Sequence, residues 1–106
     1  MRLAAMRLAA IAAGFLAAAL LPAAAHAAPG DNVSVLACAR AGVEANCLVI
    51  TGADGSVYNI TGASPKPPLD VIIQLRGTVT DKLSACNQGL VLDNINWTPT
   101  QQKCAN

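Results

Sequence analysis

The stretch ITGADGSVYNITG, residues 50–62, sets Ile-Thr-Gly on either side of seven residues that include Asp54-Gly55. β-Branched and aromatic residues around a short Ala-Asp-Gly run mark a hairpin. A three-residue turn over Ala53-Asp54-Gly55 needs one residue in the left-handed region, and Gly55 adopts it without steric cost. That turn sets Ile50 opposite Tyr58 and Leu48 opposite Ile60, so the four bulky residues share one face. A two-residue Asp-Gly turn would pair Val49 with Ile60 and mix the faces. The three-residue turn is therefore expected, and the repeated Ile-Thr-Gly marks two paired strands, each ending at a glycine.

Outward from this hairpin, short alternating runs separated by turn residues recur, the pattern of an all-β domain. Asn32 to Ala37 is a first strand, and Ala41 to Ala45 a loop. Asn46 to Thr51 and Ser56 to Thr61 are the two hairpin strands. Gly62 to Asp70 carries three prolines, which exclude a helix and a central strand. Val71 to Asp81 is the longest run, with Val71, Ile73, Leu75 and Val79 inward and Gly77 where a barrel strand would bend. A loop through Lys82 to Gly89 leads to a fifth strand, Leu90 to Trp97, which Pro99 is expected to end. Five strands with a meander at the start suggest a small OB-like (Greek-key) barrel, whose usual helix is replaced by the proline-rich connector. An SH3-like barrel or a small sandwich is the fallback.

Before this domain stands a different kind of segment. Arg2 and Arg7 precede the apolar run Leu8 to Leu21, Pro22 follows, and Ala25-His26-Ala27 forms a small-x-small cleavage site. Residues 1–27 are read as a secretory signal peptide and residues 28–106 as the exported domain, secreted or periplasmic. The duplicated MRLAA at residues 1–5 and 6–10 is read as an n-region duplication or a choice of start codons, not as a structural repeat. The signal also inflates the apolar fraction of 54% and hides the charge of the remainder. Removing Arg2 and Arg7 leaves five basic residues against six acids, a net charge of −1. It also removes His26, the one histidine.

A domain this small buries a thin core and usually needs staples. Cys38, Cys47, Cys86 and Cys104 are even in number within an exported chain, so two disulfides are expected. The spacings contain no Cys-x-x-Cys, which argues against zinc. Spacing does not choose among the three pairings, and loop entropy gives about 3–4 kcal/mol per bridge whichever forms.

The segment from Asn46 to Ile95 resembles a group of small exported bacterial OB-like domains of uncharacterised function. The likeness rests on Cys47, Asp54-Gly55, Tyr58-Asn59-Ile60, Gly77-Thr78-Val79 and Cys86-Asn87-Gln88-Gly89. The proline-rich connector and the additional pair Cys38 and Cys104 depart from that pattern. The resemblance implies Cys47–Cys86, which leaves Cys38–Cys104 in a nested arrangement. The sequential alternative, Cys38–Cys47 with Cys86–Cys104, stays open on spacing alone.

Chemistry is poorly supplied. Serines 34, 56, 64 and 84 have no histidine to activate them, and a Lys82/Ser84 pair would need a desolvated lysine. Asp81 with Asp93, or Asp54 with Asp70, could in principle form an acid pair, but isolated acids at strand ends are more often turn formers. No cofactor, metal site or catalytic activity is expected. Nucleic-acid binding needs a basic groove and stacking aromatics, and the exported part is slightly acidic with only Tyr58 and Trp97. Three Asn-x-Ser/Thr triplets begin at Asn32, Asn59 and Asn96 and are read as incidental.

Recognition without chemistry remains. Lys66 in the connector, Lys82, Asn87 and Gln88 in the second loop, and Trp97 beside Pro99 are the candidate binding residues. Trp97 either caps the barrel or stands exposed as a contact, capping being the preferred reading. Pro65-Lys66-Pro67-Pro68 either docks a partner or simply spans the barrel end, and the second is the commoner use of such a segment. The expectation is a monomeric protein-interaction or inhibitory module. A small-ligand or glycan binder is the alternative, and a single-stranded nucleic-acid binder a more distant one.

Overall fold

The computed structural model describes residues 27–105, so the expected signal segment lies outside them apart from Ala27. Six strands follow one another: β1 (Asn32–Cys38), β2 (Arg40–Ala41), β3 (Leu48–Thr51), β4 (Val57–Asn59), β5 (Val71–Val79) and β6 (Leu90–Lys103). There is no helix among the described residues. The strands form one open sheet in the order β1-β5-β6-β4-β3-β2, with β1 and β2 at its two edges. All neighbours are antiparallel except β4 and β6, which run parallel through Tyr58–Leu90 and Asn59–Val91.

The opening hairpin forms as its residues require. Ile50 pairs with Tyr58, and the Ile60 N–H donates to the Leu48 carbonyl at 2.9 Å. Gly52 N–H donates to Ser56 O at 2.8 Å, closing a loop over Ala53-Asp54-Gly55, and Gly55 has φ +89°. Asp54 Oδ1 accepts the Ser56 N–H at 3.0 Å, an aspartate turn bond that local geometry offers readily.

The core is drawn from alternate positions of the longer strands. Ile73, Leu75, Gly77 and Val79 of β5 all point inward, with Val71 half-buried at the end of the row. They pack with Val35, Ala39, Ile50, Tyr58, Ile60 and Leu92. At Gly77 the β5–β6 register shifts: Arg76 faces Asn96 while Thr78 faces Asp93, so β6 carries an extra residue there. Asn94 takes φ 52° at this bulge, a conformation asparagine tolerates better than most residues. A side chain on Gly77 would press on Leu92 and the Asp93 carbonyl at 3.1–3.2 Å. In place of a bend in β5, Gly77 is a point of close backbone approach opposite a bulge in β6.

Several expected boundaries are corrected. Six strands replace five, because the first strand is interrupted at Ala39 and resumes as β2, in part of the segment read as a loop. Asn46, expected to open the second strand, has φ 66° and belongs to the turn before it. Pro99 does not end the last strand, which continues to Lys103. The physical reason is that β4 reaches only Leu90 and Val91 of β6. Beyond them one edge of β6 lacks a strand partner, where a residue without an N–H is tolerated. A second register shift lets Pro99 face Ile73 while Lys103 faces Val71.

Two disulfides join the elements in the nested arrangement, Cys38–Cys104 and Cys47–Cys86. The first ties the end of β1 to the residue after β6. The second ties the residue before β3 to the loop before β6.

Candidate interaction site

The second disulfide lies between two loops, residues 42–47 between β2 and β3 and residues 80–89 between β5 and β6. Further bonds lock them together. The Val43 N–H donates to Gln88 Oε1 at 2.9 Å, and the Asn87 N–H to Glu44 Oε1 at 3.2 Å. Within the first loop the Gly42 N–H donates to Cys47 O at 2.7 Å and the Cys47 N–H to Glu44 O at 3.2 Å. Within the second, Ser84 Oγ accepts the Cys86 N–H at 3.0 Å.

Asn59 fastens this pair of loops from beneath. It is only 2% exposed, and its Nδ2 donates to Cys86 O at 2.7 Å and to Ser84 Oγ at 3.2 Å. Its Oδ1 accepts the Thr61 N–H at 3.0 Å, so the buried amide is fully engaged. Val49, directly across from Asn59, is buried as well, so both faces of the hairpin are covered. Gly89 ends the second loop at φ +74°, where any Cβ would collide with the Val57 carbonyl.

On this anchored base two large apolar side chains stand in solvent. Leu83 is 99% exposed and Val43 is 87% exposed. Nearby, Lys82 Nζ meets Asp93 Oδ2 at 2.8 Å. That hydrogen bond, and next the charge of the same carboxylate, raise the lysine pKa above its ordinary value.

The candidate residues read from the sequence fall into two groups. Gln88 and Asn87 are framework of the two-loop tip, Gln88 through its side chain and Asn87 through its backbone. Lys82 is exposed and held by Asp93. Trp97 and Lys66 belong to a second place. The Trp97 ring is half-buried against the core and its Nε1–H donates to the Pro65 carbonyl at 2.8 Å. It therefore anchors the connector beside exposed Lys66. No hydrogen bond or ion pair among the described residues joins the two groups. Cys38 and Cys104 line a separate depression with Arg40 and Leu69.

Glu44, Asn59 and the exposed pair Val43 and Leu83 were not singled out from the sequence. Asn59 figured in the sequence reading as part of the Tyr58-Asn59-Ile60 element and as the start of a modification triplet, and its burial removes its amide from any such modification in the folded protein. The available signal was a polar residue followed by isoleucine inside a β-rich run. No group of three or more histidine, cysteine or acidic residues suited to hold a metal occurs among the described residues. Comparison with family models, with curated proteins and with solved structures finds no match for this chain.

Proposed function

We propose that this is an exported, non-catalytic binding module that recognises a protein through the two-loop tip. The observation that carries the reading is the high exposure of Leu83 and Val43 on two loops that are tied to each other. Ordinary surface leucines lie singly and need no explanation, but here two apolar residues project from loops tied to each other by a disulfide and side-chain bonds. Restraint of this kind lowers the ordering cost of association, as in inhibitors that present a fixed loop to a cleft. Two intramolecular disulfides support an oxidising compartment, the periplasm or the exterior, in keeping with the expected signal peptide.

The OB-like reading of the fold is retained as part of this proposal. Only Ala39 separates β1 from β2, so the two edges of the open sheet are halves of one bent segment. A sheet whose edges are consecutive in the chain is rolled toward a barrel. In OB-type barrels the loop after the first strand and the loop before the last are the ones that contact ligands. Here those are the two loops of the tip.

The test is affinity capture with residues 28–106 from the host's envelope and medium, run in parallel with L83D and V43D. A stoichiometric protein retained by the parent and lost by both variants, which should melt unchanged, supports the reading. Equal capture by all three removes the tip from recognition.

A further inference from the structure

Away from the tip, the outward face of β1, β5 and β6 carries a regular array of side chains. Directly paired residues share a face, so the register defines three rows. Asn32, Thr78 and Asp93 form one, Ser34, Arg76 and Asn96 the next, and Leu36, Gln74 and Thr98 the third. With neighbouring strands about 4.8 Å apart and alternate residues about 6.8 Å apart, the array spans roughly 10 by 14 Å. Two shallow depressions of about 480 and 410 Å³ lie on it, and Arg76 lines both.

This face is rich in neutral hydrogen-bonding groups and poor in charge. Six of the nine residues are neutral amides or hydroxyls, each able to accept a hydrogen bond and all able to donate one. Two pairs of them already hold one another in place: Gln74 Nε2 donates to Ser34 Oγ at 2.7 Å, and Thr78 Oγ1 to Asn32 Oδ1 at 3.1 Å. The one carboxylate, Asp93, is engaged by Lys82. Arg76 is exposed at the centre and has no ion-pair partner among the described residues. At one corner Leu36, 61% exposed, adds a small apolar surface.

We propose that this face is a binding site for an acidic oligosaccharide, a uronic-acid-containing glycan, whose carboxylate is taken by Arg76 and whose hydroxyls meet the surrounding amides and hydroxyls. The guanidinium fork matches a carboxylate in bidentate geometry. Ring hydroxyls, which both donate and accept, match side chains that do the same. Leu36 suits the C–H face of a sugar ring. The charge complementarity is specific: one unpaired cation among neutral hydrogen-bonding groups, with the array's single carboxylate held by Lys82, fits a ligand of sparse negative charge. A nucleic acid, with a phosphate at every nucleotide, calls for several cations along its track.

The experiment is a titration of isotopically labelled, oxidised protein with a galacturonate hexamer, followed by amide chemical shifts. Galactose and thymidylate hexamers are run beside it. Galacturonate is expected to move the amides of β1, β5 and β6 around Arg76. R76Q should weaken that binding by about tenfold or more, since it removes a charge-assisted bidentate contact, and R76K should fall between the two. K103Q, which removes a positive charge from the end of β6 while Arg76 lies on β5, should leave it unchanged. The proposal is overturned if galacturonate moves no amides on this face, or if K103Q weakens binding as much as R76Q. Tighter binding of the thymidylate hexamer, or equal binding of the galactose hexamer, would also overturn it. Because Arg76 is exposed and unpaired, the R76Q melting temperature should match the parent's, so a negative result is not a folding failure.

Discussion

The hairpin β3–β4 and the three-stranded part β1-β5-β6 are built from similar β-rich sequence, yet they treat their outer faces in opposite ways. The hairpin is covered on both sides, with Ile50 and Tyr58 in the core and Val49 and Asn59 buried on the other face. The longer strands bury one face and leave the other to water, as an antiparallel sheet commonly does. The difference comes from one long-range covalent tie. Cys47–Cys86 holds the 80–89 loop against the hairpin, and Asn59 supplies the polar contacts that loop backbone requires once it is brought down. Two kinds of surface follow: a rigid tip with exposed apolar residues, and a flat polar array.

Removing that tie should have the largest effect. For C47A/C86A, a bridge across a separation of 39 residues, the loop-entropy model gives a loss of about 4 kcal/mol. The loss is measured by urea denaturation of oxidised samples. A loss below about 1 kcal/mol would mean the loop stays down without the bond, and the contrast between the two faces would need another cause.

Next in size is Asn59→Ala, which removes the bonds to Cys86 O, Ser84 Oγ and Thr61 N at a site 2% exposed. Leaving such partners unsatisfied should cost about 2–3 kcal/mol. Asn96→Ala, on the open face, should change stability by no more than about 0.5 kcal/mol. Comparable costs at the two positions would erase the distinction.

Two glycines sharpen the comparison further. Gly55 and Gly89 both have positive φ, but a Cβ at Gly55 meets open space while one at Gly89 runs into the Val57 backbone. Gly55→Ala should therefore cost only the backbone strain, about 1 kcal/mol, and Gly89→Ala clearly more, about 2–3 kcal/mol, both read from thermal or urea midpoints.

The smallest effect belongs to Lys82. Its folded pKa is raised by the hydrogen bond to Asp93, so the stability it adds is fully present below the ordinary lysine value. It is lost only as pH rises through the higher folded value. Because the pair is solvent-exposed, the parent should melt only slightly above D93N at neutral pH, and the two curves should converge as pH rises through the lysine range. A gap that widens with rising pH would contradict this.

What could be read from the sequence follows the range of the determining interactions. The hairpin register was legible because Asp54-Gly55 and the alternation of Leu48, Ile50, Tyr58 and Ile60 are local and agree. The inward set of β5 was legible for the same reason, although the irregularity opposite Gly77 is an extra residue in β6. The nested disulfides were reached only through the family-like pattern around Cys47 and Cys86. Asn59 was not legible as a buried residue, because alternation alone turns it outward. Its cover lies some 25 residues away, at Ser84 and Cys86. Pro99 misled for a related reason: a proline ends a strand flanked on both sides, and nothing local tells that β4 is too short to flank β6 there. The break at Ala39 carries no local mark at all. On the open face, Arg76 was passed over because an exposed arginine on a strand is ordinary until its unpaired state and its neighbours are known.

The central claim, that the tip is held rigid before it meets a partner, is tested most directly by amide hydrogen exchange on the oxidised protein and on C47A/C86A. The amides of Val43 and Asn87 are informative because each bonds across from one loop to the other. They should exchange about tenfold or more slowly than unstructured amides in the parent and lose that protection in the variant, while β1 and β5 keep theirs. Exchange of both amides at unstructured rates in the oxidised parent would contradict the account.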